Sequence, residues 1–204
     1  MPTTTTLRRK ALLLEWFTVG YNVLEGVFSI AAGYLSGSIA LIGFGLDSAV
    51  ESASGIILIW RLSVTGKVSP EQEEKIEKRA VFLVGISFFI LGAYVFFEAA
   101  RKLYLHEHPK PSLFGIIIAA LSAVIMPLLS YSKLSTARKM KSRSLEADSR
   151  QTFICSLLSI ALLIGLGVNY LWGLWWADPV SALVIVLFIV REGITALKEE
   201  RRCC

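Results

Sequence analysis

Long apolar runs alternate with short polar segments along almost the whole chain. A helix that crosses the hydrocarbon core of a bilayer needs about 20 mostly apolar residues. Six runs meet that length, over about 11–34, 38–62, 80–103, 113–131, 147–168 and 177–197. The first two are separated by the tight turn Leu35-Ser36-Gly37, and Pro127 inside the fourth predicts a kink. Ser69-Pro70-Glu71-Gln72-Glu73 predicts a helix start, with Ser69 as N-cap, proline in the first position and acids in the first turn. Residues 106–111 read as a proline-bounded loop and 133–143 as a strongly basic one. The segment 169–176 carries three of the five tryptophans, which suits a membrane–water interface. The pattern predicts an all-α membrane protein, a bundle of six transmembrane helices.

Composition strengthens this picture. Of 204 residues 54% are hydrophobic, and the runs consume so much of the chain that no separate soluble domain of ordinary size fits. Residues 1–204 are therefore expected to form one transmembrane domain, with no C-terminal cytoplasmic domain. The polar stretch Met1–Lys10 precedes an apolar run too long for a signal peptide, so that run is expected to remain as the first span.

Charge adds orientation. The net charge is +5, and the basic residues fall in alternate polar segments: Arg8, Arg9 and Lys10; Lys67, Lys75, Lys78 and Arg79; Lys133, Arg138, Lys139, Lys141 and Arg143; Lys198, Arg201 and Arg202. The first and fifth loops have none, and the third has only Lys110. The positive-inside rule then puts both termini in the cytoplasm. No basic stripe interleaved with aromatics is present, so nucleic acid is not an expected partner. Three cysteines, two of them the terminal Cys203-Cys204, do not make a disulfide framework. The vicinal pair suits a soft metal, a lipid or simply a frayed tail. Neither H-E-x-x-H, G-x-S-x-G nor a Walker pattern occurs, so enzyme activity, ATP-driven pumping and a resident cofactor are not expected.

The polar residues inside the apolar runs carry the candidate chemistry, because a charge near the bilayer centre costs about 2.5–3.5 kcal/mol on insertion scales. Asp47 and Glu51 are spaced i, i+4 in the second run, on one helical face and among small residues from Gly43 to Gly55. Two acids that close repel, and a shared divalent cation or a shared proton resolves the conflict. The bland alternative is a polar packing seam. Gln151 and Cys155 repeat the spacing in the fifth run; they read as weak and strong metal ligands, or as a helix-bridging amide and a small buried hydrophobe. Glu25 is a candidate third carboxylate or proton carrier, or a hydrogen bond to a neighbouring helix. Glu15 lies near the cytoplasmic end, within reach of solvent. Glu98 reads as a surface partner of Arg101 or Lys102, Asp178 before Pro179 as a helix N-cap, and His106-Glu107-His108 as a solvated loop cluster or a metal-collecting one.

Three segments in register carry a family resemblance: Ser36-Gly37-Ser38-Ile39-Ala40-Leu41 followed by the acidic pair, Glu146-Ala147-Asp148 followed by the polar pair, and Asp178-Pro179-Val180-Ser181-Ala182-Leu183. They resemble helices two, five and six of the cation diffusion facilitator, or cation efflux, family. The resemblance implies a metal site with two residues from each of helices two and five, here Asp47, Glu51, Gln151 and Cys155, and accessory or proton-coupling roles for Glu25 and Asp148. It implies a homodimeric divalent-cation exporter, commonly of zinc in exchange for protons. The helix-five pair, usually His and Asp, is Gln and Cys here, so Zn2+ leads while Co2+, Fe2+, Cd2+ and Mn2+ stay open. The alternative function is a non-transporting membrane protein of the same fold that serves a partner.

Overall fold

The computed structural model describes residues 4–64, 70–110, 112–140 and 142–202. Six helices follow one another: α1 Thr4–Ser36, α2 Ile39–Val64, α3 Pro70–Leu105, α4 Leu113–Met140, α5 Arg143–Trp172 and α6 Ala177–Arg202. The bundle is the all-α architecture that the apolar runs imply. Ser69, Cys203 and Cys204 lie outside the described residues, so neither the N-cap expected at Ser69 nor the terminal thiols have a structural counterpart here.

The helices are longer than the apolar runs, because a helix does not end where hydrophobicity ends. It ends where a cap or a breaker satisfies its last backbone groups. α1 stops at Gly37, which takes φ 70°, and the Ser38 N–H returns to the Gly33 carbonyl at 2.9 Å. α5 begins on the Ser142 hydroxyl, which accepts from the Leu145 N–H, and ends on Gly173 at φ 64°. α4 continues through Pro127 to Met140. The basic segment 133–143, expected as a loop, is thus helical over most of its length.

The interior combines an apolar cluster around Phe44, Val95, Leu162 and Ile185 with many buried polar side chains. Glu15, Asn22, Glu25, Asp47, Glu51, Lys133, Asp148 and Asp178 are all buried, while Trp16, Phe17, Leu24, Leu121, Val124 and Leu187 are exposed. Such an inside-out distribution suits a lipid solvent, in which apolar surface costs nothing and charge must be sheltered. By length and composition alone, Ile39–Ser63, Leu113–Met140 and Asp148–Trp172 can cross a membrane. α1, α3 and α6 carry more polar side chains, and on α1 these are turned inward: Glu15, Asn22 and Glu25 are buried.

The helices pack as three pairs: α1 along α2, α4 along α5, and α3 along α6. α1 also meets α4, and α2 meets α5, so these four helices enclose one interior; α3 and α6 close onto it through α2 and α5. The α1–α2 crossing is tight. A Cβ placed on Gly45 would lie 2.9 Å from the Gly26 carbonyl oxygen and 2.8 Å from Ile30 Cγ1, so only glycine fits at this contact, half a turn before Asp47.

Candidate metal site

Asp47 and Glu51 project from the same face of α2 toward α5 and are both buried. The Cys155 thiol on α5 donates to Asp47 Oδ2 at 3.3 Å, so the two helices meet at these residues. Glu51 differs from Asp47: both its carboxyl oxygens are buried and have no hydrogen-bond partner among the described residues. Gln151 is half-buried, and its Oε1 accepts from the Ser54 hydroxyl at 3.4 Å. Among the described residues, no three His, Cys, Asp or Glu side chains converge tightly enough to hold one ion. The four residues therefore stand as an Asp47–Cys155 contact, a bare Glu51 carboxyl and a Gln151 amide turned to Ser54.

Glu25 on α1 accepts from the Ser48 hydroxyl at 2.8 Å, and its second oxygen is buried with no hydrogen-bond partner among the described residues. Ser48 follows Asp47, so Glu25 reaches the same level of the bundle from the α1 side. Asn22 and Ser29, one turn to either side, are also buried with unpartnered polar atoms. A row of unsatisfied polar groups between apolar helices is costly unless water, protons or an ion share it.

Asp148 lies two turns before Cys155 on α5 and brings with it residues that the hydropathy pattern does not reveal. Its Oδ2 is 2.6 Å from Lys133 Nζ, which also lies 3.0 Å from Glu15 Oε2 and 3.3 Å from Thr152 Oγ1. Lys133 is 1% exposed and Glu15 0%. Lys133 is thus not a cytoplasmic loop charge, and Glu15 is not within reach of solvent. Both are corrected by the extension of α4, which carries Lys133 into the bundle. The residues buried on α4 include Ser122, Met126, Leu129, Lys133, Thr136 and Ala137. Their spacing of three to four continues past the end of the apolar run, a sign of a longer helix that does not by itself tell which way Lys133 turns.

The other end of the bundle is stitched by polar contacts. Asp178 does not cap its own helix as expected. It sits in the first turn of α6 and serves α2: it accepts from the Ser38 hydroxyl, and from the Ile39 N–H at 3.1 Å. The Lys102 ammonium donates to the Gly37 carbonyl, and Asn169 Nδ2 to the Pro109 carbonyl at 3.2 Å. Glu98 pairs with Arg101 at 3.1 Å on the surface, as its spacing suggests. His106 and His108 are exposed, and their rings lie 5.0 and 5.4 Å from that of Trp175.

Residues 16–202 match the cation efflux transmembrane domain. Among similar proteins, Transmembrane protein 163 of Xenopus laevis is 22% identical over 94% of this chain and 68% of its own length. The manganese efflux system protein MneS of Bacillus subtilis is 26% identical over 88% of this chain and 62% of its own. The cadmium, cobalt and zinc/H(+)-K(+) antiporter of the same organism is 19% identical over 94% and 61%. The chain thus spans about two thirds or less of the length of these relatives. With six helices, a polar interior and a match over nearly its whole length, this integral membrane chain belongs to the cation efflux (cation diffusion facilitator) family.

Proposed function

We propose that the chain moves a divalent transition-metal cation across the membrane, and that Asp47 and Glu51 on α2, with Cys155 and Gln151 on α5, bind it in transit. The observation that carries this reading is Glu51: a buried carboxyl with no hydrogen-bond partner for either oxygen among the described residues, one turn from Asp47 and in a helix that meets α5. Such a group is costly in an apolar bundle, and a cation that it binds offsets the cost. Membership of the cation efflux family supports the same reading. Two carboxylates, a thiol and an amide suit Zn2+ and Cd2+, and the carboxylates also suit Mn2+ and Co2+. The names of the relatives divide in the same way, between manganese and cadmium, cobalt and zinc.

Metal ligands bind in their deprotonated forms, so loading releases protons and reprotonation from the far side drives release. Export by proton antiport follows from that linkage, with Glu25 and Asp148 as the acids that relay the proton and with both termini in the cytoplasm. Rocking of the α3–α6 pair against the other four helices supplies alternating access, and a homodimer is the assembly proposed.

The test is transport by the purified full chain in liposomes loaded with a metal-sensitive dye and, separately, a pH dye. The wild type is expected to take up Zn2+, Cd2+ or Mn2+ with opposite proton movement. Asp47→Asn is expected to abolish uptake while the chain stays helical and monodisperse. Full uptake by Asp47→Asn would remove Asp47 from the pathway. A wild type that moves none of the three ions would favour a non-transporting partner protein.

A further inference from the structure

One turn from the site, toward the end of the bundle that carries both termini, lies a second buried group of polar side chains. It gathers Glu15 from α1, Lys133 from α4, and Asp148 and Thr152 from α5, every one of them buried. Lys133 Nζ touches three oxygens: Asp148 Oδ2 at 2.6 Å, Glu15 Oε2 at 3.0 Å and Thr152 Oγ1 at 3.3 Å. The remaining carboxyl oxygen of Glu15 is buried and has no hydrogen-bond partner among the described residues.

The group adjoins the metal site on two helices. On α5, Thr152 follows Gln151 directly. On α2, a Cβ placed on Gly55, one turn beyond Glu51, would lie 3.8 Å from Glu15 Oε2. A cation travelling from this end to Asp47 and Glu51 therefore passes the Glu15 and Asp148 carboxyls first.

An ammonium held among three oxygens, two of them from acids, marks a place built for positive charge. The donors are all oxygen, the set that suits a hard divalent ion. The ammonium belongs to a flexible four-carbon side chain and has no planar geometry to defend, so it can swing aside. We propose that Glu15, Asp148 and Thr152 form an intermediate cation station on the route to Asp47, and that Lys133 is a tethered cation that occupies it until a divalent ion displaces it. A buried salt bridge that only clamped three helices together would need no unpartnered Glu15 oxygen. The proposal rests on the transport reading for its direction of travel, while its binding chemistry can be tested separately.

The experiment measures Mn2+ bound by the purified full chain, using equilibrium dialysis with electron paramagnetic resonance of the free ion. Asp47→Asn/Glu51→Gln is the background, which removes the α2 carboxylates. Adding Lys133→Met to that background is expected to create one Mn2+ site per chain, and adding Glu15→Gln is expected to remove it again. Lys133→Arg, which keeps the charge, is expected to create none. If the Met variant unfolds without metal, saturating Mn2+ is expected to raise its melting temperature by about 5–10 °C while leaving the Asp47→Asn/Glu51→Gln background within about 1 °C. A Lys133→Met chain that binds no more Mn2+ than its background, and is stabilised by Mn2+ no more than that background, overturns the proposal. Failure of the transport reading would appear elsewhere, as a wild type that moves none of the three ions, and would leave the Mn2+ count unchanged.

Discussion

At the scale of single residues, the interior holds polar groups that partner one another and polar groups left without a hydrogen bond among the described residues. Asp178 accepts from Ser38 and Ile39, and Lys133 is shared by Glu15, Asp148 and Thr152. Glu51 has no such partner on either oxygen among the described residues. A buried polar group without a hydrogen bond costs about 1–3 kcal/mol in proteins. Glu51→Met, which keeps the side-chain length and removes the polar atoms, is therefore expected to leave stability unchanged or to raise it by about 1–2 kcal/mol. The same variant is expected to lose metal transport. Thermal unfolding in detergent read beside liposome uptake checks both, and a strongly destabilised Glu51→Met would mean that the carboxyl has a structural partner. Asp47 and Glu51 were legible in the sequence because charge in the middle of an apolar run has no inexpensive explanation. Lys133 and Glu15 were not, because they lie near the run ends. A charge there can reach the interface or turn inward at equal hydropathy. Only a partner 118 residues away in sequence decides which.

At the scale of helices, the apolar runs identified six elements and their order, since each run is long enough to cross a bilayer. They did not identify the helix ends, which depend on local capping at Gly37, Ser142 and Gly173. Nor could they assign Asp178 to α2, because that cap comes from another helix 139 residues along the chain. The small residues around Asp47 did announce close packing, and the Gly26–Gly45 contact shows what it serves: α1 lies close enough for Glu25 to meet Ser48 at 2.8 Å. Gly45→Val would push α1 away from α2. Overpacking of this kind costs about 1–3 kcal/mol. The variant is expected to melt at lower temperature and to lose transport with Asp47 and Glu51 still in place. Gly20→Ala on the same helix pair is the control, since a Cβ there meets nothing within 4 Å, and its melting temperature is expected to stay near that of the wild type. Equal melting temperatures for the two variants would show that the crossing tolerates expansion.

At the scale of the whole molecule, the bundle has two unlike ends. One is bound together by Asp178, Lys102 and Asn169 across the short connections at 37–38, 106–112 and 173–176, and it is rich in exposed aromatic side chains such as Tyr34, Tyr104, Trp172 and Trp176. The other carries both chain ends and exposed Arg9, Lys10, Arg138, Lys139 and Lys198, and the Lys133 group lies just inside it. Positive charge concentrated at one end sorts such a molecule in one direction, since arginine and lysine cross the bilayer reluctantly during insertion. On the proposed orientation and route, a cation arriving from the cytoplasm would meet Glu15 and Asp148 before Asp47. Single cysteines in a background with Cys155, Cys203 and Cys204 replaced by serine test the orientation. Lys10→Cys, Arg138→Cys and Lys198→Cys are expected to resist a membrane-impermeant maleimide added to intact cells and to react in inverted vesicles. Lys110→Cys, which is exposed at the opposite end, is expected to behave in reverse. Labelling of Lys10→Cys from outside intact cells would invert the molecule, and with it the order in which a cation from the cytoplasm meets the two acidic groups.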